Sequence, residues 1–359
     1  MALKEQLQRL ATEKDTPCVT ISLNTHRTHP DNVQDKILLK NLLKEAEERV
    51  ISEFGKRNPS LVLEKIKTVA DEIDVNYNLD SLHIFLSNDI QEIVKSPWET
   101  PKNAVHISES FAIRPLIKNY NRSETYLVMV LSQSSVNLYE AINDGIVKEI
   151  RNNDFPFSEN GFYTTSPDKG SDPKLQDNLV REFLNNVDKA LVKTHNETGL
   201  KCVVVCTEDN YTRLQQVADN PGIYYGYANI DYNNTNTHQI VKQSWDIIKD
   251  IQKKRRKVAI NEMQEAMATG KVVTDLQEIY QAAIDGRGEL LIVHQDFAKA
   301  VVMKDDRTFD LVEDAATVNA IDDITSNIAW EVISKKGRVF FTAQDEIKEL
   351  GKIVLKTRF

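Results

Sequence analysis

The run Tyr126–Leu131, YLVMVL, is continuously apolar, and a strand buried on both faces is the element that such a run builds. Val136, Leu138 and Ala141 alternate into a second strand, Asn143-Asp144-Gly145 is a turn signal, and Ile146–Ile150 reads as a third strand. A polar stretch of unusual length follows, from Asn152 to about Lys174, punctuated by Pro156, Gly161, Pro167, Gly170 and Pro173. Loops of this length inside a compact domain are either functional or disordered. We expect this one to be mobile, and what it contains constrains function more than any other stretch.

The rest of the chain alternates helical and strand periods around that centre. Leu3, Leu7 and Leu10 mark a first helix, and Cys18–Leu23 a strand. Leu38, Leu39, Leu42, Leu43, Ala46, Val50 and Phe54 recur with helical period over Val33–Phe54. A second helix is expected over Leu61–Ile73, then a hairpin of Ser81–Leu86 and Ile90–Lys95, then short strands at Ala104–Ile107 and Phe111–Ile113. Pro115 and the polar Asn119–Glu124 read as a link.

Beyond the long loop, Leu179, Phe183, Val187 and Leu191 predict a helix ending near Gly199, followed by the strand Cys202–Cys206, a helix over Asn210–Ala218 and an extended piece, Ile223–Ile230. A long helix, His238–Thr269, opens the last segment. A strand at Val272–Val273, a helix at Leu276–Ile284, the strand Glu289–Val293, two hairpin pieces, Ala300–Met303 and Thr308–Val312, and a helix over Ala320–Ser334 come next. A strand at Arg338–Phe341, a short helix near Asp345–Leu350 and a final strand, Lys352–Phe359, complete it. The fold class is α/β in three domains, 1–119, 120–236 and 237–359, the last as a three-layer α/β/α unit.

A net charge of −9 argues against coating nucleic acid non-specifically, because that binding rests on Lys and Arg neutralising phosphates. RNA contact therefore requires a local basic patch, and DNA is not an expected partner. Membrane association is not expected either: no apolar run approaches the roughly 20 residues that span a bilayer. The N-terminus has a charged amphipathic pattern in place of a signal peptide's apolar core, and we read the protein as cytoplasmic. Three cysteines are too few for a disulfide framework, and Cys202 and Cys206 read as buried structural thiols on one strand face. His26 and His29 have a spacing that suits a metal, but no cysteine or carboxylate pair nearby completes a site, so a solvated loop is the better reading.

Three regions together resemble one family. The C-terminal GKVVTDLQEIYQAAIDGRGELLIVHQ and the ending GKIVLKTRF resemble the last domain of archaeal and eukaryotic peptide-chain release factors and of their ribosome-rescue relative Pelota. The stretch YLVMVLSQSSVNLYEAINDGIVKEI with its long loop resembles their ribonuclease H-like central domain. The pattern VTISLNTHRTHPDNVQDKILLKNLLKEAEERV resembles the first domain of the bacterial branch of that family. The resemblance implies a translation-associated function with ribosome or structured RNA as partner.

The departures from the family are specific. Release factors carry Gly-Gly-Gln in the loop of the middle domain, where it orients water against the peptidyl-tRNA ester. Here the loop reads NNDFPFSENGFYTTSPDKGSDPKLQ, and Gly-Gly-Gln occurs nowhere in the chain. The Asn-Ile-Lys-Ser stop-codon loop of the eukaryotic factors is missing too. Catalytic residues are therefore assigned to no position, and peptidyl-tRNA hydrolysis is not expected, since the loop by itself supplies neither a positioned water nor oxyanion donors.

No P-loop or GxGxxG occurs, so no cofactor is expected, and the first strand of the middle domain lacks the carboxylate that a two-metal nuclease needs. The dense basic run Lys253, Lys254, Arg255, Arg256 and Lys257 reads equally as an RNA-phosphate contact or as a solvated helix face. Phe155, Phe157, Phe162, Tyr163, Tyr224, Tyr225 and Tyr227 read as loop anchors before they read as base-stacking platforms. The leading function is a non-catalytic, translation-associated factor. A hydrolase of aminoacyl or peptidyl esters with a non-standard loop and a protein-interaction scaffold without RNA stay open beside it.

Overall fold

The structure, a computed structural model, describes every residue outside 1–2, 56–58, 133–134, 158–172, 230–235, 314–319 and 344–349. The fold is mixed α/β, and the chain divides into two compact units, residues 1–122 together with 258–359, and residues 123–257.

The first unit opens with α1 (Leu3–Thr12), β1 (Cys18–Asn24), α2 (Val33–Phe54), α3 (Ser60–Thr68), β2 (Ser81–Leu86), β3 (Gln91–Ser96), β4 (Ala104–Ser108) and α4 (Arg114–Arg122). Its four strands pair in the order β3-β2-β1-β4, all antiparallel. Strand alternation sorts side chains to two faces. Val19, Ile21, Leu23, Leu82, Ile84 and Leu86 pack on the apolar stripes of α2 and α3. On the opposite face Thr20, Ser22 and Asn24 of β1 lie beside the buried Ser81 and His83 of β2, and Thr20, Ser22, Asn24 and His83 line a cleft.

The prediction fails locally after β4. Phe111–Ile113 has no strand partner, and the expected link Asn119–Glu124 begins inside α4. Pro115 sits in the first turn of that helix, where a missing N–H costs nothing, and Leu116, Ile117 and Asn119 are buried on one side. The helix expected over Leu61–Ile73 stops at Thr68 and tightens into a 3₁₀ turn, Val69–Glu72.

The second unit contains β5 (Thr125–Leu131), β6 (Val136–Ile142), β7 (Gly145–Ile150), α5 (Pro173–Thr198), β8 (Cys202–Val205), α6 (Glu208–Val217), β9 (Tyr224–Ala228) and the first part of α7 (Thr237–Met267). The sheet order is β7-β6-β5-β8-β9, antiparallel up to β5 and parallel from β5 to β9. One face, with Leu127, Met129 and Leu131, packs on α5 and α6, and the other, with Tyr126, Val128, Val203 and Val205, packs on Ile240, Val241 and Ile248 of α7. The run that reads as buried on both faces is so. Asn143 adopts the left-handed conformation at the β6–β7 turn (φ 54°).

The long loop begins as a fixed structure. Asn152 Oδ1 accepts the N–H groups of Asp154 and Phe155, and Phe157 pairs with Val136 through both backbone bonds, 3.1 and 3.0 Å. At its far end α5 starts at Pro173, so Lys174 is helical. Residues 158–172, with Phe162, Tyr163 and the loop's remaining chemistry, lie outside the described residues.

The first unit resumes with the rest of α7 and β10 (Val272–Val273), α8 (Leu276–Ile284), β11 (Gly288–His294), β12 (Val301–Met303), β13 (Phe309–Leu311), β14 (Ala320–Ile321), α9 (Ile324–Ser334), β15 (Arg338–Thr342) and β16 (Ile353–Thr357). A four-stranded sheet, β10-β16-β11-β15, has α8 and α9 on one face and Ala259, Ile260 and Met263 of α7 on the other, an α/β/α sandwich. A small sheet, β13-β12-β14, sits beside it. The helix expected from Ala320 starts at Ile324, because Ala320–Ile321 pairs with β12 and Asp323 caps the helix by accepting the Thr325 N–H. The short helix expected near Asp345–Leu350 falls within 344–349, outside the described residues apart from Leu350.

Candidate functional site

The basic run of α7 divides by environment. Lys253, Lys254 and Lys257 are exposed, and their spacing puts them on neighbouring positions of one helix face. Arg255 is occupied within its own unit: Nη1 donates to both carboxylate oxygens of Glu124 at 3.1 and 3.0 Å, and Nη2 donates to the Tyr225 hydroxyl at 2.9 Å. The Tyr225 hydroxyl donates in turn to Glu124 Oε1 (2.7 Å), and the guanidinium lies 5.6 Å from the ring centroid. Arg256 is half-buried. Three lysines therefore remain as the solvent-facing part of the cluster, and Arg255 ties α7 to the edge strand β9 and to the residue before β5.

The described aromatics are held by their own neighbours. Phe155 meets Phe157 edge-on at 5.3 Å, and Phe157 meets Phe183 at 5.9 Å. Tyr211 stacks on Tyr227 at 4.9 Å, and the buried Tyr224 hydroxyl donates to Asp188 at 2.5 Å. Cys202 and Cys206 are free thiols in one core cluster, and burial pushes Cys206 up to about 12. They are structural. His26 Nδ1 lies 2.8 Å from Asp35 Oδ1, and among the described residues no group of three or more His, Cys, Asp or Glu side chains converges as a metal site would.

A second site lies wholly within the first unit and is absent from the sequence reading. It is a cleft of about 700 Å³ over the polar face of the β3-β2-β1-β4 sheet, walled by α4 and by residues around Gln295 and Asp322. Its floor is rigid. Ser81 Oγ–H donates to the Trp98 carbonyl at 2.6 Å, so Ser81 Oγ accepts from His83 Nε2–H at 3.0 Å, and His83 Nδ1 is left to accept the Ser22 hydroxyl at 2.9 Å. Asn24 clamps the rim, donating to the Thr100 carbonyl (2.9 Å) and accepting the Thr100 N–H (2.7 Å). Thr20 Oγ1 accepts the Ala112 N–H at 3.0 Å and so fixes the entry to α4.

The charges in this cleft are perturbed by burial. His83 and His106 are held down at about 4 by desolvation, so both imidazoles are neutral at physiological pH. A serine beside a histidine suggests a nucleophile and its base, but a general base works best poised near the operating pH. His83 at about 4 is too weak to activate Ser22, and the dyad serves as a hydrogen-bonded floor. Arg114 is committed to structure, pairing with the buried Asp323 and donating to Thr325 Oγ1 and to the Gln295 carbonyl, both at 3.0 Å. Lys118, one turn further along α4, has no ion-pair partner among the described residues. Burial first, then Arg114 and Arg122, lower its ammonium to about 8. Asp322 is raised to about 7 by burial and by the neighbouring Asp323.

Sequence reasoning missed this cleft although each part left a trace. CVTISLN alternates apolar with polar residues, SLHIFL and AVHIS each interrupt an apolar strand with a histidine, and Arg114, Lys118 and Arg122 recur every four residues. Nothing local says that these pieces, with Asp322 some 200 positions later, share one surface.

Comparison with known proteins finds a family similarity that covers the second unit and continues to residue 287. Residues 125–287 match the model described as bacterial archaeo-eukaryotic release factor family 3. None of the curated proteins matches the chain. Among solved structures, an archaeal translation termination factor, aRF1, aligns over 99% of this chain and 97% of its own at 13% identity and a TM-score of 0.27. A ribosome-bound archaeal Pelota, described together with ABCE1, aligns over 99% of this chain and 94% of its own at 12% identity and 0.43. Dom34 of S. cerevisiae aligns over 82% of this chain and 76% of its own, at 12% identity and 0.37. Residues 125–287 of this chain are thus similar to the bacterial archaeo-eukaryotic release factor family 3 model, in a sequence that carries no Gly-Gly-Gln.

Proposed function

We propose that the protein is a translation-associated factor that binds the ribosome or structured RNA in the cytoplasm without hydrolysing peptidyl-tRNA. The observation that carries this reading is the exposed triad Lys253, Lys254 and Lys257, standing inside the segment that matches the release-factor family, on a chain of net charge −9. Phosphate contact needs accessible cations, and these three are accessible while Arg255 is spent on Glu124. The lack of Gly-Gly-Gln supports the non-catalytic part. The same reading takes the middle sheet as ribonuclease H-like, which its three antiparallel strands followed by two parallel ones support.

Co-sedimentation with ribosomes over a salt series tests it. Replacing Lys253, Lys254, Arg255, Arg256 and Lys257 with Gln should weaken binding uniformly, and the lysines alone should lower the slope of log K against log salt by about two, at roughly 0.7–0.9 per phosphate contact. An unchanged slope in the triple-lysine variant returns the cluster to a solvated helix face. Stalled ribosomes carrying labelled peptidyl-tRNA and a stop codon should keep their peptide. Release above background, abolished by deleting 158–170 with the fold intact, would establish the hydrolase instead.

A further inference from the structure

The cleft of the first unit is unused by that function, yet it is built to hold a small molecule. Its volume of about 700 Å³ is within the range of roughly 300–1,000 Å³ of ligand pockets. Its walls are pre-organised: Thr20 Oγ1 accepts the Ala112 N–H ahead of α4, and Asn24 and Thr100 are bonded across the rim. Little ordering then remains to be done on binding.

The register of the sheet fixes what the floor offers. Thr20 of β1 stands opposite His106 of β4, and Ser22 stands opposite His83 of β2. Directly opposed residues of antiparallel strands project to the same side, so all four belong to the face turned away from α2 and α3. Burial keeps both imidazoles neutral at pH 7, and this floor is polar without being charged. The His106 ring has no hydrogen-bond partner among the described residues. A neutral imidazole carries one donor and one acceptor, and a hydroxyl group, which both gives and takes a hydrogen bond, complements either.

A reactive group stands on the wall beside it. Lys118 of α4 is half-buried in the lining, and among the described residues no acceptor comes within hydrogen-bonding or ion-pairing reach of its Nζ. The charges that act on this ammonium are mostly cleft residues themselves: Arg114 and Arg122, four positions to either side on the same helix, and Asp296. Glu99, Lys102 and Asp322 complete the charged lining. Burial and the two arginines lower the ammonium by more than Asp296 and Asp323 raise it, to about 8. At pH 7 about a tenth of the molecules then carry the neutral amine, against fewer than about one in a thousand for an ordinary lysine near 10.4. A desolvated lysine beside other cations is the kind that adds to carbonyl compounds.

We infer that Lys118 is a carbonyl-reactive amine and that the cleft takes a small hydroxylated aldehyde as an imine on Nζ, with its hydroxyls toward Thr20 and His106. The Nζ lone pair adds to the aldehyde carbon, the carbonyl oxygen takes up a proton, and the nitrogen releases one. A second proton carries that hydroxyl away as water while the nitrogen lone pair closes the C=N bond. Loss of the remaining N–H proton leaves the neutral imine, so the exchange consumes no oxidant or reductant.

Reductive trapping on the full-length protein with glyceraldehyde and cyanoborohydride at pH 7, followed by peptide mass mapping, tests the assignment. Cyanoborohydride delivers hydride to the imine carbon and leaves a stable secondary amine. Lys118 should be modified at least tenfold faster than the exposed Lys253, Lys254 and Lys257. Measured against those same lysines, glyceraldehyde should be favoured at Lys118 at least threefold over propionaldehyde, which lacks the hydroxyls. Lys118→Arg keeps the charge and should lose the fast adduct only. His106→Ala should slow glyceraldehyde at Lys118 at least threefold and leave propionaldehyde unchanged, with cooperative unfolding retained as the check that each variant is folded. Labelling of Lys118 in the wild type no faster than that of the exposed lysines overturns the reactive amine. Equal preference for the two aldehydes overturns the hydroxylated class, and an unchanged glyceraldehyde rate in His106→Ala overturns the contact with that ring.

Discussion

His83 shows how one buried side chain sets a pH dependence. Its ring is 2% exposed, between two serine hydroxyls, and burial holds its pKa near 4, below the roughly 6.5 of an unfolded chain. Because the unfolded state then binds the extra proton, stability is full above pH 6.5 and falls as pH drops towards 4, with a cost on the order of 3 kcal/mol for this group. Denaturant midpoints measured from pH 8 to 4 should decline accordingly, and less so in His83→Gln. An NMR titration that finds the His83 imidazole protonating near 6.5 would refute the assignment. His26 is shifted the other way, raised by its hydrogen bond to Asp35, and Asp35→Asn should return its titration to the ordinary histidine range. Its ring is half in solvent, so this titration should barely register in stability.

Between elements, the same chemistry is decided by burial. Arg114 of α4 and Asp323 at the N-cap of α9 form a pair with side chains 14% and 2% exposed. Arg114→Gln leaves that carboxylate buried with only hydroxyl and N–H donors, which should cost about 3–5 kcal/mol in urea unfolding. Arg9→Gln breaks a pair whose arginine is 43% exposed and should cost about 1 kcal/mol or less. Equal losses in the two variants would show that burial does not govern these bridges. The α9–β15 turn has a comparable steric constraint. A Cβ on Gly337 would stand 2.5 Å from Val332 Cγ1 and 2.9 Å from the Gly288 carbonyl oxygen, so backbone has to shift. Gly337→Ala should therefore destabilise by on the order of 2–3 kcal/mol, read as a lower thermal midpoint.

At the scale of the molecule, one core is assembled from both ends of the chain. Leu7, Phe85, Leu116 and Ile117 pack in the same cluster as Ile279, Leu291, Ile328 and Phe341. A fragment of residues 1–122 alone exposes that apolar surface and should bind a hydrophobic dye and unfold without a sharp transition. Adding residues 258–359 in trans should restore a cooperative transition, whereas 123–257, whose cores are its own, should fold alone. Cooperative unfolding of 1–122 by itself would contradict the shared core.

Periodicity determined the regular elements, because the physics that makes them is local. α2 over Val33–Phe54, α8 over Leu276–Ile284 and the doubly buried β5 are legible from apolar spacing alone, and the similarity to the release-factor family over 125–287 is legible from the order of such elements. Where a local signal has two meanings, tertiary contacts chose between them. Pro115 ends a helix or begins one, and the burial of Leu116 and Ile117 made it begin one, while pairing with β12 drew Ala320–Ile321 into a strand ahead of α9. The basic run on α7 was plain in the sequence, but only the fold showed that Arg255 is occupied by Glu124 and Tyr225 while three lysines face water. The cleft was decided by tertiary structure alone. His83, Lys118 and Asp322 acquire their shifted acidities, and with Ser22 their common surface, from burial and proximity, and neither exists until distant strands and helices are brought together.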